Sequence, residues 1–305
     1  MGSAFVRGTR RLLSKAGKAA LYSARATRWE VLGRLRSTVT VSTCQGRFTV
    51  FTRDQAIGRW LYCFREFESE LIRDVARLLA GQGRLTTGSV GTVLDIGANM
   101  GITSIALLRG GVAARALAIE PDLRNFGLLE RNALQNDVAD RVHQRMCALS
   151  ESKGTMEMEL SDSNLGDHRI RLAPPPDQRR ELYRESSRQV VRVQCERLDD
   201  LADTDPAFND VGLAWIDVQG HEGHVFRGGR RFFSRDVPVV AELWPYGLRR
   251  AGLAADEFCE LAASLWPAYY MRRRGRWIRY PMATLRLAFE ELGDDGEADN
   301  VVFGR

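Results

Sequence analysis

The chain has 305 residues, of which 44% are apolar, 27% charged and 9% aromatic, a composition that can bury a sizeable core and excludes general disorder. No run approaches the ~20 consecutive apolar residues that a membrane-spanning helix needs. The net charge of +5 is uneven, because residues 1–36 carry nine Arg and Lys against Glu30 alone, a local +8 that leaves the remainder at −3.

Residues 1–36 read as a basic, partly amphipathic helix. Lys15, Lys18 and Arg25 interrupt its apolar stretch, so it lacks the 7–15-residue apolar region of a signal peptide. It is either a solvated arm or one drawn to an anionic membrane surface or a partner. Alternation on both sides of Gln45-Gly46 predicts a β-hairpin over 37–53. Apolar residues at helical spacing from Phe64 through Phe67, Leu71, Ile72, Val75, Leu78 and Leu79 predict one core-facing helix over 60–80. A Gly- and Thr-rich loop follows.

From residue 92 strand and helix alternate. TVLDIGA (92–98), ARALAIEP (114–121) and RVHQRMCALS (141–150) read as strands, with helices over 101–110 and 123–137 between them. That rhythm implies right-handed crossovers and a parallel sheet. The segment 154–160 alternates as a strand of an insertion would. Residues 161–189, polar and holding Pro174-Pro175-Pro176, read as a long loop or lid, and 188–201 as a returning strand. Core strands follow at 212–220 and 238–245, a helix near 254–265, and closing strands at 267–280 and 299–305.

The cysteines Cys44, Cys63, Cys147, Cys195 and Cys259 are odd in number, with no CxxC pair and no metal spacing; reduced thiols in a cytoplasmic protein are expected. All but Lys15, Lys18 and Lys153 of the basic residues are Arg, which reads as coding bias. The body lacks the clustered basic face with aromatic platforms that nucleic-acid binding needs, so no nucleic-acid partner is expected.

The strongest signal is VLDIGANMG (93–101). An apolar strand ends in Asp95, then Gly97, Ala98, Asn99 and Gly101 lead into a helix whose N-terminus presents free N–H groups. Glu120 ends the next strand 23 residues after Gly97, where a carboxylate can accept both hydroxyls of a ribose diol. The dinucleotide fingerprint G-x-G-x-x-G is not met, since Asn99 stands at the middle glycine position; a nicotinamide oxidoreductase is thereby disfavoured. A cationic, phosphate-free adenosyl ligand suits Asp95 better, and S-adenosylmethionine fits.

VLDIGANMGITS, AIEPD, WIDVQGHE, PVVAE and DNVVF, in that order over residues 90–305, resemble the FkbM-type methyltransferases. The resemblance implies an α/β fold: a seven-stranded Rossmann-like class I methyltransferase sheet, mostly parallel, with helices on both faces. To this the chain would add a basic arm (1–36), a β-hairpin and helix extension (37–89) and an insertion at about 154–200 within the 90–305 domain. The resemblance also implies that Asp95, Gly97, Ala98, Asn99 and Gly101 line the methionine end of S-adenosylmethionine. Glu120, followed by Pro121, would hold the ribose, and Cys147-Ala148 would lie near the adenine. Asp217 would face the methyl group, and Ser163-Asn164-Leu165-Gly166 would face the active site from the insertion. The family's last motif usually reads D-V-E-G-H-E, and this chain has Gln219 in place of that Glu.

WIDVQGHEGH gathers Asp217, His221, Glu222 and His224 within eight residues. Methyl transfer from a sulfonium needs mainly position, but a hydroxyl acceptor must also lose its proton. We expect His221 as the base, with Asp217 orienting it or the acceptor; the bland alternative is a His221 that caps the helix. A divalent metal such as Mg²⁺ held by Asp217, Glu222 and Glu242 is a further alternative. The two histidines of HEGH are three apart, not four, which argues against a zinc hydrolase. Asn164, His168 and Glu242 are expected on the acceptor side, His143 as structural, and Trp215, Trp244 and Phe226 as core. The run Arg272–Arg274 reads as a solvated hairpin or as a reader of an acidic acceptor.

The expectation is therefore an S-adenosylmethionine-dependent O-methyltransferase acting on a hydroxyl of a sugar, glycolipid or secondary metabolite. It would be cytoplasmic, with peripheral membrane contact through residues 1–36 as the sharper reading of that arm. The competing class is a non-catalytic cofactor-binding scaffold at an anionic surface.

Overall fold

A computed structural model describes residues 15–85, 88–172 and 182–305. The chain opens with α1 (Lys15–Leu35), the hairpin β1 (Thr38–Ser42) and β2 (Arg47–Phe51), α2 (Ile57–Phe64) and α3 (Ser69–Gly81). Next come β3 (Thr92–Ile96), α4 (Ile102–Arg109), β4 (Arg115–Ile119), α5 (Leu123–Gln135) and β5 (Val142–Arg145). The insertion supplies β6 (Ala148–Leu149), β7 (Gly154–Leu160), β8 (Arg169–Arg171) and β9 (Gln189–Glu196). The second half runs α6 (Leu198–Thr204), β10 (Val211–Ile216), α7 (Glu222–Gly228), α8 (Arg230–Phe233), β11 (Val239–Leu243), α9 (Pro245–Arg250) and α10 (Ala255–Leu265). It closes with β12 (Ala268–Arg273), β13 (Arg276–Pro281), α11 (Leu285–Leu292) and β14 (Asp299–Gly304).

The main sheet has the order β13-β12-β14-β11-β10-β3-β4-β5. The five strands from β5 to β11 are parallel and β14 enters antiparallel. Buried on both faces, these strands are continuously apolar, as TVLDI, RALAI and VGLAWI show. One core lies on each face of the sheet. The chain steps outward from β3 to β5 and then returns to β10 on the other side of β3, so the strand order switches between β3 and β10. Open α/β sheets bind ligands beyond the carboxyl ends of the strands at such a switch.

The register lines up that edge. Ile96 is level with Ile119 on one side and Ile216 on the other, and Ile216 is level with Ala241. The residues one step further, Gly97, Glu120, Asp217 and Glu242, therefore stand side by side along one rim.

Several expectations change. The helix foreseen over 60–80 is two helices, broken where Arg65 (φ 64°) and Glu68 (φ 50°) take left-handed backbone; the break leaves Phe64 44% exposed instead of in the core. The strand over 141–150 is also two, because the chain leaves the main sheet after β5 and pairs β6 with β9 in a second sheet ordered β6-β9-β7-β8. Within 161–189, residues 169–171 form β8 against β7, and the triple proline lies outside the described residues. The strand over 267–280 is the hairpin β12–β13. Two of its arginines are committed to the fold, Arg272 to Asp74 at 2.6 Å and Arg273 to Glu291 at 2.6 Å, while Arg274, Arg276 and Arg279 are exposed. Trp215, Trp244 and Phe226 are core residues as expected.

The first helix is not simply an arm. Trp29 is fully buried against Tyr62, with ring centroids 5.3 Å apart, and joins the same apolar cluster as β3 and α4. Buried Asn132 of α5 bolts the hairpin to the sheet: it takes the Thr49 N–H at 2.7 Å and gives its own N–H to the Met100 carbonyl at 2.8 Å. Among the described residues no helix is long and apolar enough to cross a membrane.

Candidate functional site

Two clefts open along the rim. The first is lined by Gly97, Asn99, Glu120, Pro121, Asn125, Cys147, Ala148, Leu165, His168, Asp217 and His221, among others. It encloses about 540 Å³ out to its mouth. The second, of about 950 Å³ out to its mouth, is lined by Tyr22, Arg59, Trp60, Phe64 and Phe67 from α1, α2 and the turn after α2, and by Glu68, Asn164 and Glu242. The two share Gly166, Asp217 and Gln219.

The glycine turn supports the first cleft in unequal ways. Gly97 (φ +82°) lines it, yet a Cβ there would also lie 1.9 Å from the Asp217 carbonyl oxygen. The turn is tight because β10 closes on it, with the Asp217 N–H on the Ile96 carbonyl at 3.0 Å. Gly101 (φ +85°) does not line the cleft; a Cβ there would meet the Leu129 side chain at 2.5 Å, so its smallness serves the packing of α4 on α5. Asp95 stands behind the wall. Its Oδ2 takes the Ser104 N–H at 3.1 Å and the Ser104 hydroxyl at 2.6 Å, satisfying the start of α4. Burial pushes its carboxyl up to about 6. Ala98 is buried in the apolar core.

Glu120 is 5% exposed. Its Oε2 accepts the Asn99 N–H and its Oε1 the Asp122 N–H, each at 2.8 Å. Those amides favour its charge, but burial outweighs them and lifts the carboxyl to about 8. Each oxygen keeps a lone pair for a further donor.

Four residues lining this cleft own a buried polar atom without a partner among the described residues: Asn99 Oδ1, Asn125 Oδ1, His168 Nε2 and His221 Nδ1. Leaving such atoms unpaired costs roughly 1–3 kcal/mol each, a pattern that fits a polar ligand completing them. The amides of Asn99 and Asn125 both donate to the Leu165 carbonyl, at 3.3 and 2.9 Å, and so hold the Ser163–Gly166 segment over the cleft. His168, expected on the acceptor side, lines the first cleft instead. Its Nδ1 accepts the Ser161 N–H at 3.1 Å, and burial lowers its pKa to about 4. The neutral ring therefore carries its proton on Nε2 and offers a donor. Sequence reasoning missed Asn125; the Asn-rich pattern of α5 gave no sign that one amide faces a ligand.

His221 is buried, with Nε2 2.9 Å from the Ser150 hydroxyl and its ring stacked on His224 at 4.4 Å. Burial, then His224, hold its pKa well below the usual histidine value. It makes no side-chain cap to α7, and it lines the first cleft but not the second.

Asp217 belongs to both clefts. It reaches solvent through them while protein surrounds it elsewhere, and that burial raises its carboxyl above the usual range. Gln219 Nε2 donates to Asp217 Oδ1 at 2.6 Å and to Glu242 Oε2 at 3.5 Å. A glutamate at 219 would add one more carboxylate between two; the amide instead bridges them. Burial and the neighbouring Asp217 raise Glu242 well above its ordinary value and Glu68 to about 7.

The metal alternative does not fit. Among the described residues no group of three His, Cys, Asp or Glu side chains could hold an ion. Glu222 turns away from the rim, its Oε1 on the Val218 and Gly220 amides at 3.1 and 3.4 Å.

The FkbM methyltransferase domain matches residues 95–261. The chain is similar to the methyltransferase sdnD of Sordaria araneosa, 28% identical over 52% of this chain and 68% of that one. It is also similar to the 2-O-methyltransferase NoeI of Sinorhizobium fredii, 26% identical over 49% of this chain and 62% of that one. A methyltransferase FkbM structure from Methylobacillus flagellatus aligns over 70% of this chain and 44% of its own, at 16% identity and a TM-score of 0.39. With 95–261 of its 305 residues matched and its strand order switching at the glycine turn, the chain belongs to the FkbM family of S-adenosylmethionine-dependent methyltransferases.

Proposed function

We propose that the first cleft holds S-adenosylmethionine and the second a hydroxyl-bearing acceptor, a sugar, glycolipid or secondary metabolite, which the protein O-methylates. One observation carries this reading: the clefts meet at Asp217, Gln219 and Gly166, so a group seated in one faces a group seated in the other across a carboxylate. The NoeI relative is a 2-O-methyltransferase, which supports oxygen as the acceptor atom.

When bound, S-adenosylmethionine supplies a methyl already activated on a sulfonium. The chain's residues supply position and a place for the proton. Glu120 accepts the hydroxyls of a ribose, His168 Nε2–H donates, and Asn99 and Asn125 accept. Asp217 takes the proton of the attacking hydroxyl through the oxygen that Gln219 leaves free. Its raised pKa brings it closer to the range where such a base works at neutral pH. His221, the base expected from sequence, is better placed as a wall of the cofactor cleft: burial makes its ring a weak base and its Nε2 is engaged by Ser150.

Flat, part-exposed rings with polar groups at the base suit an acceptor that has an apolar face and several hydroxyls. The test is incubation with methyl-labelled S-adenosylmethionine and a panel of glycans, glycolipids and metabolites, with and without chelator. Label entering a hydroxyl regardless of chelator is expected. Label confined to nitrogen or carbon, or loss of labelling with chelator, would overturn the reading.

A further inference from the structure

A third hollow, of about 990 Å³ out to its open mouth, lies where the end of α1 meets β2 and the start of α5. Its lining includes Arg34, Arg36, Arg53 and Arg124, and no carboxylate. These arginines come from three separate segments. Helix-end electrostatics accounts for Arg34 in the last turn of α1, but for none of the others.

The convergence is held by backbone. The Thr52 N–H donates to the Ser37 carbonyl at 3.0 Å, and the Thr52 hydroxyl to the Arg36 carbonyl. A Cβ at Gly33 would lie 3.2 Å from the Thr52 carbonyl oxygen, so a small residue lets α1 close on β2 and brings Arg34 and Arg36 toward Arg53. Arg124 shares its charge with Asp122 at 3.3 Å, a carboxylate already taken up by the Arg124 and Asn125 amides. Arg34, Arg36 and Arg53 have no ion pair and no side-chain hydrogen bond among the described residues; Arg53 lies only near the Phe51 ring, at 5.6 Å. Like charges gathered without partners repel one another, and nothing in the packing needs them there.

Guanidinium forks match phosphate oxygens in shape and charge. We propose that this hollow binds a phosphate group, carried by a soluble phosphorylated compound or by a phospholipid headgroup. Leu35 within the lining and Leu123 beside Arg124 are 73% and 69% exposed, giving the hollow an apolar rim. Arg124 of this hollow is followed in sequence by Asn125, which lines the first cleft.

The test uses the full chain and the double variant Arg36→Ala/Arg53→Ala, at exposed positions outside both clefts. Binding is measured to inorganic pyrophosphate by calorimetry, and to vesicles of phosphatidylcholine with or without phosphatidylglycerol by co-sedimentation. At least one probe should bind, weaken with salt, and lose about tenfold or more in affinity in the variant, the worth of one or two charge-assisted hydrogen bonds. Affinity for S-adenosylmethionine should stay the same. Pyrophosphate binding would identify a soluble ligand; binding only to phosphatidylglycerol vesicles would identify a lipid. Binding to neither, or vesicle binding that the variant retains because the rest of the basic N-terminus supplies it, would overturn the proposal.

Discussion

The two clefts that meet at Asp217 are built on opposite plans. The first is made from strand ends locked in register, with its key carboxylate held by backbone amides and its roof tied down by Asn99 and Asn125. The second is made from helices of the N-terminal extension, whose Tyr22, Trp60 and Phe64 rings are 38%, 50% and 44% exposed. One side is a wall of strand ends tied by hydrogen bonds and the other a wall of part-exposed aromatic rings. The contrast suits a reaction in which the methyl donor is constant and the acceptor varies on a shared scaffold.

The sharpest way to break that comparison is at the shared residue. Asp217→Asn keeps the shape and the Gln219 neighbour but cannot take a proton. Turnover should fall by about 10²–10⁴-fold, the usual worth of a positioned base. Cofactor affinity should change much less, because Glu120 and the orphaned polar atoms of the first cleft remain. Turnover within a few-fold of the parent would remove Asp217 as base and return attention to His221 or Glu242.

A smaller effect tests the first cleft alone. Glu120→Gln should weaken S-adenosylmethionine by about tenfold or more in calorimetry, through loss of charge-assisted bonds to the ribose. The pH dependence is equally diagnostic. In the empty protein Glu120 holds its proton up to about 8, and accepting two hydroxyls requires giving that proton up. Affinity should therefore rise with pH towards 8 and level off above it, and the variant should lose this slope. Stability runs the other way: a carboxyl raised from about 4.5 to about 8 on folding contributes stability that is complete below 4.5 and lost as pH rises through 8. Asp95 and Glu222, raised to about 6 and about 7, add in the same direction. Thermal scans of the empty protein should show these groups lowering the melting temperature between about pH 4.5 and pH 8, and saturating cofactor should blunt the fall.

The same division governs what could be read from the sequence. The strands of the first cleft are short apolar runs ending in glycine or a carboxylate, local signals that single out Gly97, Asn99 and Glu120, while the family resemblance was needed to bring Asp217 to the same site. What could not be read was which motif residues touch the cleft. Gly97 and Gly101 look alike in sequence, but one presses on β10 and the other on Leu129; Asp95 and Glu120 both end strands, but one serves α4 and the other the cleft. Those differences depend on contacts between distant segments. The second cleft left less trace. Helical periodicity assigned Phe64 and Phe67 to a core, and only the left-handed turn at Arg65 and Glu68 redirects them into a cleft wall.

The smallest effect bears on that wall. Trp60 lies at the outer edge of the second cleft with its ring 4.4 Å from Phe64. Half in solvent, it adds little to the core, and Trp60→Ala should leave the melting temperature close to the parent's. If the acceptor lies flat on these rings, losing one removes about 0.5–1.5 kcal/mol, a rise of roughly two- to tenfold in acceptor KM. The effect should be largest for acceptors with an extended apolar face. Neither kcat nor cofactor affinity should move, because Trp60 does not line the first cleft. A variant that loses cofactor affinity in step with acceptor affinity would show that the two clefts are not independent, and the opposition between a donor side built from strand ends and an acceptor side built from exposed rings would no longer describe this enzyme.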